Sequence, residues 1–197
     1  MSIAFCFLVY DSVEHVGIWE SFFAGDRNGA ANIYSHIKAA SEKTTTWLLN
    51  GKVRTVKTDW CSEGLIYAFN SMLRKALKNE DNEYFVILSG TCIPLYTFQE
   101  TCKRIFSEPK TRMIIEKGPN HVFDGVKDVY NSHQWVILNR EVAKDYIRLS
   151  DKHDKEAMDF VKQFRTRYKE HGVKVGNFKA TKGEDSTWLG GCPDEIY

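Results

Sequence analysis

No apolar run in this chain is long enough to cross a bilayer as a helix. Ile3 to Tyr10 (IAFCFLVY) is apolar, but it is only about a third of a membrane span. It lacks a basic leader and a small-residue cleavage site, so it is expected to be a buried strand and not a signal peptide. Neither sign of charge dominates: 27 Lys and Arg stand against 26 Asp and Glu, for a formal charge of +1. With no basic stripe to neutralise a phosphate backbone, nucleic acid is not an expected partner. The five cysteines (Cys6, Cys61, Cys92, Cys102, Cys192) are odd in number and form no C-x-x-C pair. That removes the usual zinc and redox spacings and points to free thiols in a reducing compartment. A soluble, cytoplasmic setting with no membrane span is therefore the expectation. Internal repeats and disordered linkers are also absent.

What is present suits one α/β domain. The 197 residues, 43% apolar and 13% aromatic, supply a proper core but not two comfortable ones. A first strand at Ile3–Tyr10, apolar on both faces, belongs in the middle of a parallel sheet. A helix over Glu14–Phe23 breaks at Ala24-Gly25-Asp26, and Asn32–Ile37 alternates as a second strand. Trp47–Thr55 reads as a short edge strand with a turn at Asn50-Gly51. The clearest helix covers Trp60–Lys78, with Leu65, Ala68, Phe69, Met72, Leu73, Ala76 and Leu77 on one apolar face. Asp59 stands at its N-cap position and Glu63 puts negative charge in its first turn.

Tyr84–Leu88 (YFVIL) is a second central strand, ending in Ser89-Gly90-Thr91-Cys92-Ile93-Pro94. A helix over Phe98–Phe106, a strand over Arg112–Glu116 and a loop at Gly118-Pro119-Asn120 follow. Ser132–Asn139 is strand-like, a helix starts near Arg140, and Lys152–His171 forms a charged amphipathic helix. Strands alternating with helices give an α/β sandwich with a mostly parallel sheet. Ligands in such folds lie at the carboxyl ends of the strands. That places Tyr10-Asp11, His36–Lys38 and Ser89-Gly90-Thr91 around one cleft.

Several segments, taken in order, carry a resemblance. They are Trp19 with Phe22-Phe23, Ile33–Lys38 (IYSHIK), Val56–Ala68, Tyr84–Leu95 (YFVILSGTCIPL), Gln134–Arg140 (QWVILNR) and Cys192–Glu195 (CPDE). Together the chain resembles the core-2/I-branching glycosyltransferases, which include peptide xylosyltransferases and related plant proteins. Tyr84–Leu95 is similar to the family's hallmark strand and loop. The resemblance implies a GT-A-like (Rossmann-like) fold over a single domain, residues 1–197. It also implies inverting transfer of GlcNAc or xylose from a UDP-sugar to a glycan or glycoprotein hydroxyl, without a metal.

No Asp-x-Asp motif is present to hold a divalent ion. Ser89-Gly90-Thr91-Cys92 stands where one is expected and offers no carboxylate to a hard cation. Asp124 and Asp128 are too far apart to replace it. No cofactor is thus expected besides the UDP-sugar substrate.

The family base is a Glu in a short Asp-Glu segment, which maps onto Glu195, with Asp194 orienting or capping beside it. By residue type alone, the pair fits a helix cap as well. Asp11, His36, Lys38, Ser89, Gly90 and Thr91 are the donor-binding candidates, although a lone His is as readily a satisfied structural residue. His133, Gln134 and Trp135 are the acceptor candidates, with Trp60 and Trp135 as rings that stack on a sugar or simply pack the core. The family's phosphate-holding Arg and Lys follow the base, beyond Tyr197. Either the chain is a trimmed fragment or other cations serve, and Lys38, Arg140 and Lys182 are the substitutes. A non-catalytic nucleotide-sugar or glycan-binding module and a metal-dependent transferase are the competing readings.

Overall fold

The computed structural model describes residues 1–59, 62–117, 130–132 and 135–170. The elements run β1 (Ser2–Val9), α1 (Val16–Ala24), β2 (Ala31–Ile37), α2 (Thr46–Gly51), α3 (Glu63–Leu77) and β3 (Asn82–Ser89). They continue with α4 (Phe98–Ser107), β4 (Ile115–Lys117), β5 (Tyr130–Ser132), β6 (Ile137–Asn139) and α5 (Arg140–Glu170). The main sheet has the order β2-β1-β3-β6, and β4 and β5 form a separate antiparallel pair. Strand β1 pairs in parallel with both neighbours, while β6 is antiparallel to β3. The expected α/β architecture with a mostly parallel sheet is what forms.

Alternation along β1 explains the layers, because successive side chains point to opposite faces. Ala4 and Cys6 pack with Met72, Leu73 and Ala76 of α3 and with Ala143 and Ile147 of α5. Ile3, Phe5 and Phe7 pack on the other face with Trp19 and Phe22 of α1, Leu48 of α2, and Phe98 and Ile105 of α4. Both faces of β1 are therefore covered, which is why its sequence is apolar throughout. Burial pushes the Cys6 thiol well above the ordinary thiol range.

Several local expectations change. Trp47–Thr55 does not turn at Asn50-Gly51 as an edge strand; α2 occupies Thr46–Gly51. Packing decides this: Leu48 is fully buried, and Gly51 lets the helix end lie on the backbone of Ile33, where any Cβ would collide with the carbonyl. The chain becomes extended only afterwards, with a parallel bridge between Lys52 and Ser35 and a Val53 N–H bond to the Ser35 carbonyl at 2.8 Å.

Helix α3 starts at Glu63 with Ser62, not Asp59, at its N-cap, and the Asp59 N–H donates to Ser62 Oγ. Arg112 makes an isolated bridge with Ile137, and β4 begins only at Ile115. The stretch Ser132–Asn139 divides between β5 and β6. The expected two C-terminal helices are kept: α5 (Arg140–Glu170) breaks at His153, beside the expected second start at Lys152. No helix among the described residues is long and apolar enough to cross a membrane.

Candidate active site

Strand β1 is central, so its carboxyl end is flanked by those of β2 and β3. The register sets Val9 beside Ile37 and Leu8 beside Ser89. From β1 the chain leaves through α1 toward β2, while β3, on the opposite side of β1, leads to α4. A crevice opens where such connections diverge. Three backbone bonds fix its rim: Lys38 N–H to the Val9 carbonyl (3.1 Å), Ala39 N–H to the Tyr10 carbonyl (2.8 Å) and Glu14 N–H to the Gly90 carbonyl (2.8 Å). Gly90 has a specific reason to be glycine, since an added Cβ would stand 3.0 Å from the Ser12 carbonyl oxygen. The loops after β1 and β3 meet backbone to backbone there.

The β3 loop carries a compact set of polar atoms. Ser89 Oγ lies 3.0 Å from Thr91 Oγ1 and 3.3 Å from Cys92 Sγ, which also accepts the Ser89 N–H at 3.3 Å. The half-exposed ring of Trp135 turns its Nε1–H toward Ser89 Oγ at 3.4 Å. Across β1, Asp11 Oδ2 accepts from Ser41 Oγ at 2.9 Å. Lys38 Nζ lies 3.3 Å from Asp59 Oδ1 and 5.9 Å from the centre of the exposed Tyr10 ring. Asp11, Lys38 and Ser89-Gly90-Thr91 therefore share one end of the sheet, with Trp135 beside the last group. Asp59 joins them as a carboxylate that the sequence suggested only as a helix cap. Its pairing with Lys38 spans 21 positions, and no local pattern signals it.

Two candidates lie elsewhere. His36 is fully buried and cannot touch a ligand in the cleft. Its Nε2 accepts the Val56 N–H at 3.0 Å, while Nδ1 has no partner. The ring thus ties the extended segment after α2 to β2, and burial lowers its pKa below the ordinary histidine value. Arg140 is at the opposite end of the sheet. Antiparallel β6 sets Asn139 against Tyr84, near the start of β3, and the Arg140 guanidinium donates to the carbonyls of Leu77, Asn79 and Asn82 at 2.8–3.0 Å. It caps the end of α3 and is not a phosphate ligand of this cleft. His133, Gln134, Lys182, Asp194 and Glu195 lie outside the described residues, as do Trp60, Asp124 and Asp128.

The His36 environment has a measurable consequence. A histidine held neutral in the fold is protonated first in the unfolded chain. Its contribution is fully present above the unfolded pKa of about 6.5 and is lost as pH falls toward the lower folded value. His36→Gln, which keeps an acceptor for the Val56 N–H, should flatten this dependence. Urea titrations from pH 7 to pH 5 should show the wild type losing up to about 1.4 kcal/mol per pH unit more than the variant. Parallel slopes would show that the ring carries no such linkage.

Among the described residues, no three His, Cys, Asp or Glu side chains gather as a metal site would require. Cys6, Cys92 and Cys102 are free thiols.

The family model for the Core-2/I-Branching enzyme matches residues 3–126, well over half of the chain. The chain belongs to this glycosyltransferase family. Glycosyltransferase BC10 of Oryza sativa subsp. japonica is 30% identical over 157 residues, which cover 72% of this chain and 39% of that protein. The chain thus spans about two fifths of the length of that relative. The matched residues of the Core-2/I-branching chain include all three loops of the crevice. Trp135 and Glu195 fall beyond them.

Proposed function

We propose that this Core-2/I-branching chain transfers a sugar, GlcNAc or xylose, from a UDP-sugar to a hydroxyl of a glycan or glycoprotein, with inversion and without a metal. The observation that carries the reading is the coincidence of family and crevice, since residues 3–126 supply every loop at the carboxyl ends of β1, β2 and β3. In this reading Ser89, Gly90 and Thr91 offer hydroxyls and backbone N–H groups to the donor. Asp11 and Asp59 face the ribose or uracil, and Lys38 meets the negative charge that grows on the diphosphate. Trp135, with His133 and Gln134, receives the acceptor.

The acceptor oxygen attacks the anomeric carbon from the face opposite UDP. As that bond forms, the bond from the carbon to the UDP oxygen breaks and its electron pair leaves with the diphosphate. Glu195 takes the hydroxyl proton from hydrogen-bond reach, with Asp194 orienting it. The carboxylate-free loop Ser89–Cys92 supports the metal-independent form of the proposal.

One observation favours the rival reading of a nucleotide-sugar-binding module. Lys38 is already paired with Asp59 and Arg140 is at the other end of the sheet, so neither of these two phosphate candidates stands unpaired in the crevice. Incubation with a panel of UDP-sugars and glycan acceptors, with EDTA or with manganese, separates the readings. UDP release that is unchanged by EDTA is expected. UDP binding without release for any donor and acceptor would favour the module, and activity abolished by EDTA would make the enzyme metal-dependent.

A further inference from the structure

Trp19 never reaches the crevice, yet it determines how the β3 loop is held there. Its ring is 2% exposed and packs edge-on to Phe7 at 4.9 Å and Phe22 at 5.5 Å, and stacked on Phe23 at 5.6 Å. From inside this cluster the Nε1–H donates to the Cys92 carbonyl at 2.9 Å, across 73 positions of sequence. Cys92 in turn bonds the residue that presents the hydroxyls. Its N–H donates to the Ser89 carbonyl at 3.3 Å, and its Sγ lies 3.3 Å from both Ser89 N and Ser89 Oγ. Ser89 Oγ then meets Thr91 Oγ1 at 3.0 Å. The contacts form one path: indole, Cys92, Ser89, Thr91.

We infer that Trp19 is a positioning residue for donor binding, acting through Cys92 to aim the Ser89 and Thr91 hydroxyls into the crevice. This rests on the proposed role of that loop in holding the UDP-sugar. The ring and the N–H of Trp19 do separable things. The ring fills the core between α1 and the sheet, which a phenylalanine also does in large part. The N–H satisfies a part-buried carbonyl, which a phenylalanine cannot do. A carbonyl left without its donor turns toward water if the loop allows it, because an unsatisfied buried acceptor is costly. Any such turn carries Cys92 Sγ away from Ser89 and releases the hydroxyl pair. Trp19 and Phe22 are the buried residues of α1, so the aromatic cluster seats this helix on the sheet. The donor loop thus takes its position from core packing on one face of the sheet.

Trp19→Phe tests this in the full chain, with UDP as the probe. Titration calorimetry, at a temperature where a melting curve shows the variant folded, should show the UDP Kd rising about tenfold, equivalent to 1.4 kcal/mol. In turnover assays the donor KM should rise and the acceptor KM should not. Equal UDP affinity in a folded variant, with the wild type binding normally, overturns the inference and leaves the functional reading in place. No UDP binding by the wild type overturns the functional reading itself. If Trp19→Phe does not fold, the indole N–H resonance of Trp19 in the wild type decides. Its shift on saturation with UDP supports the coupling, since the ring is too buried to touch the nucleotide, and no shift at saturation overturns it.

Discussion

Gly64→Ala is expected to lower the melting temperature by about 4–8 °C, although the same exchange inside an ordinary helix stabilises by roughly 1 kcal/mol. Gly64 lies in the first turn of α3 and is buried. A Cβ there would collide with the Lys57 carbonyl oxygen and stand 3.1 Å from its carbon and 3.2 Å from the Thr58 Cα. These are backbone atoms, so no flexible side-chain end can move aside. Overpacking of this kind costs on the order of 3 kcal/mol, and each kcal/mol is worth about 2–4 °C in a chain of this size. The collision outweighs the gain in helix propensity and reverses its sign.

The displaced segment matters for the site as well. It holds the buried Thr58 and leads directly to Asp59, the partner of Lys38. UDP affinity should therefore fall along with stability. Thermal melts of wild type and variant check the first claim, and a melting temperature at or above the wild type would show that α3 does not press on this backbone.

The parts of the fold legible in the sequence are those whose own periodicity decided their structure. Strand β1 is apolar on both faces because both are covered, and α3 shows its buried stripe through Ala68, Met72, Leu73 and Ala76. Helix α2 was not legible. Trp47-Leu48-Leu49 is a short apolar run with no clear period, and its form is decided by where Leu48 and Gly51 pack. The crevice was legible in outline because parallel strands put their carboxyl ends together.

Its exact membership was less so, for two different reasons. His36 shares the parity of Tyr34, so it points toward the α3 face and is roofed over by the extended segment through Val56. Strand parity alone carried that signal. Arg140 depends on the direction of β6, which nothing in QWVILNR reveals. An antiparallel strand delivers its last residue to the amino end of the sheet, far from the crevice. Contacts such as Trp19 to Cys92 and Lys38 to Asp59 join distant positions and leave no trace in either local segment.

Glu195→Gln should reduce transfer by about 10²- to 10⁴-fold, the usual contribution of a positioned general base, and leave UDP affinity unchanged. The exchange preserves the shape of the side chain and its reach, so donor and acceptor still meet. It removes the one property that the reaction needs at that atom, an oxygen basic enough to accept the hydroxyl proton as the new bond to the anomeric carbon forms. Asp194→Asn should cost less, because in the proposed mechanism Asp194 orients the base and does not take the proton. The division between rate and affinity separates this role from a helix cap. Loss of a cap lowers stability by roughly 1 kcal/mol and leaves the rate constant of the folded fraction alone. Turnover per folded molecule is therefore the decisive quantity, measured with saturating UDP-sugar beside a melting curve. Near-normal turnover in Glu195→Gln would exclude it as the base. Lost turnover with intact UDP binding would complete the mechanism on its basic side, leaving Lys38 as the next residue to vary for the charge on the departing diphosphate.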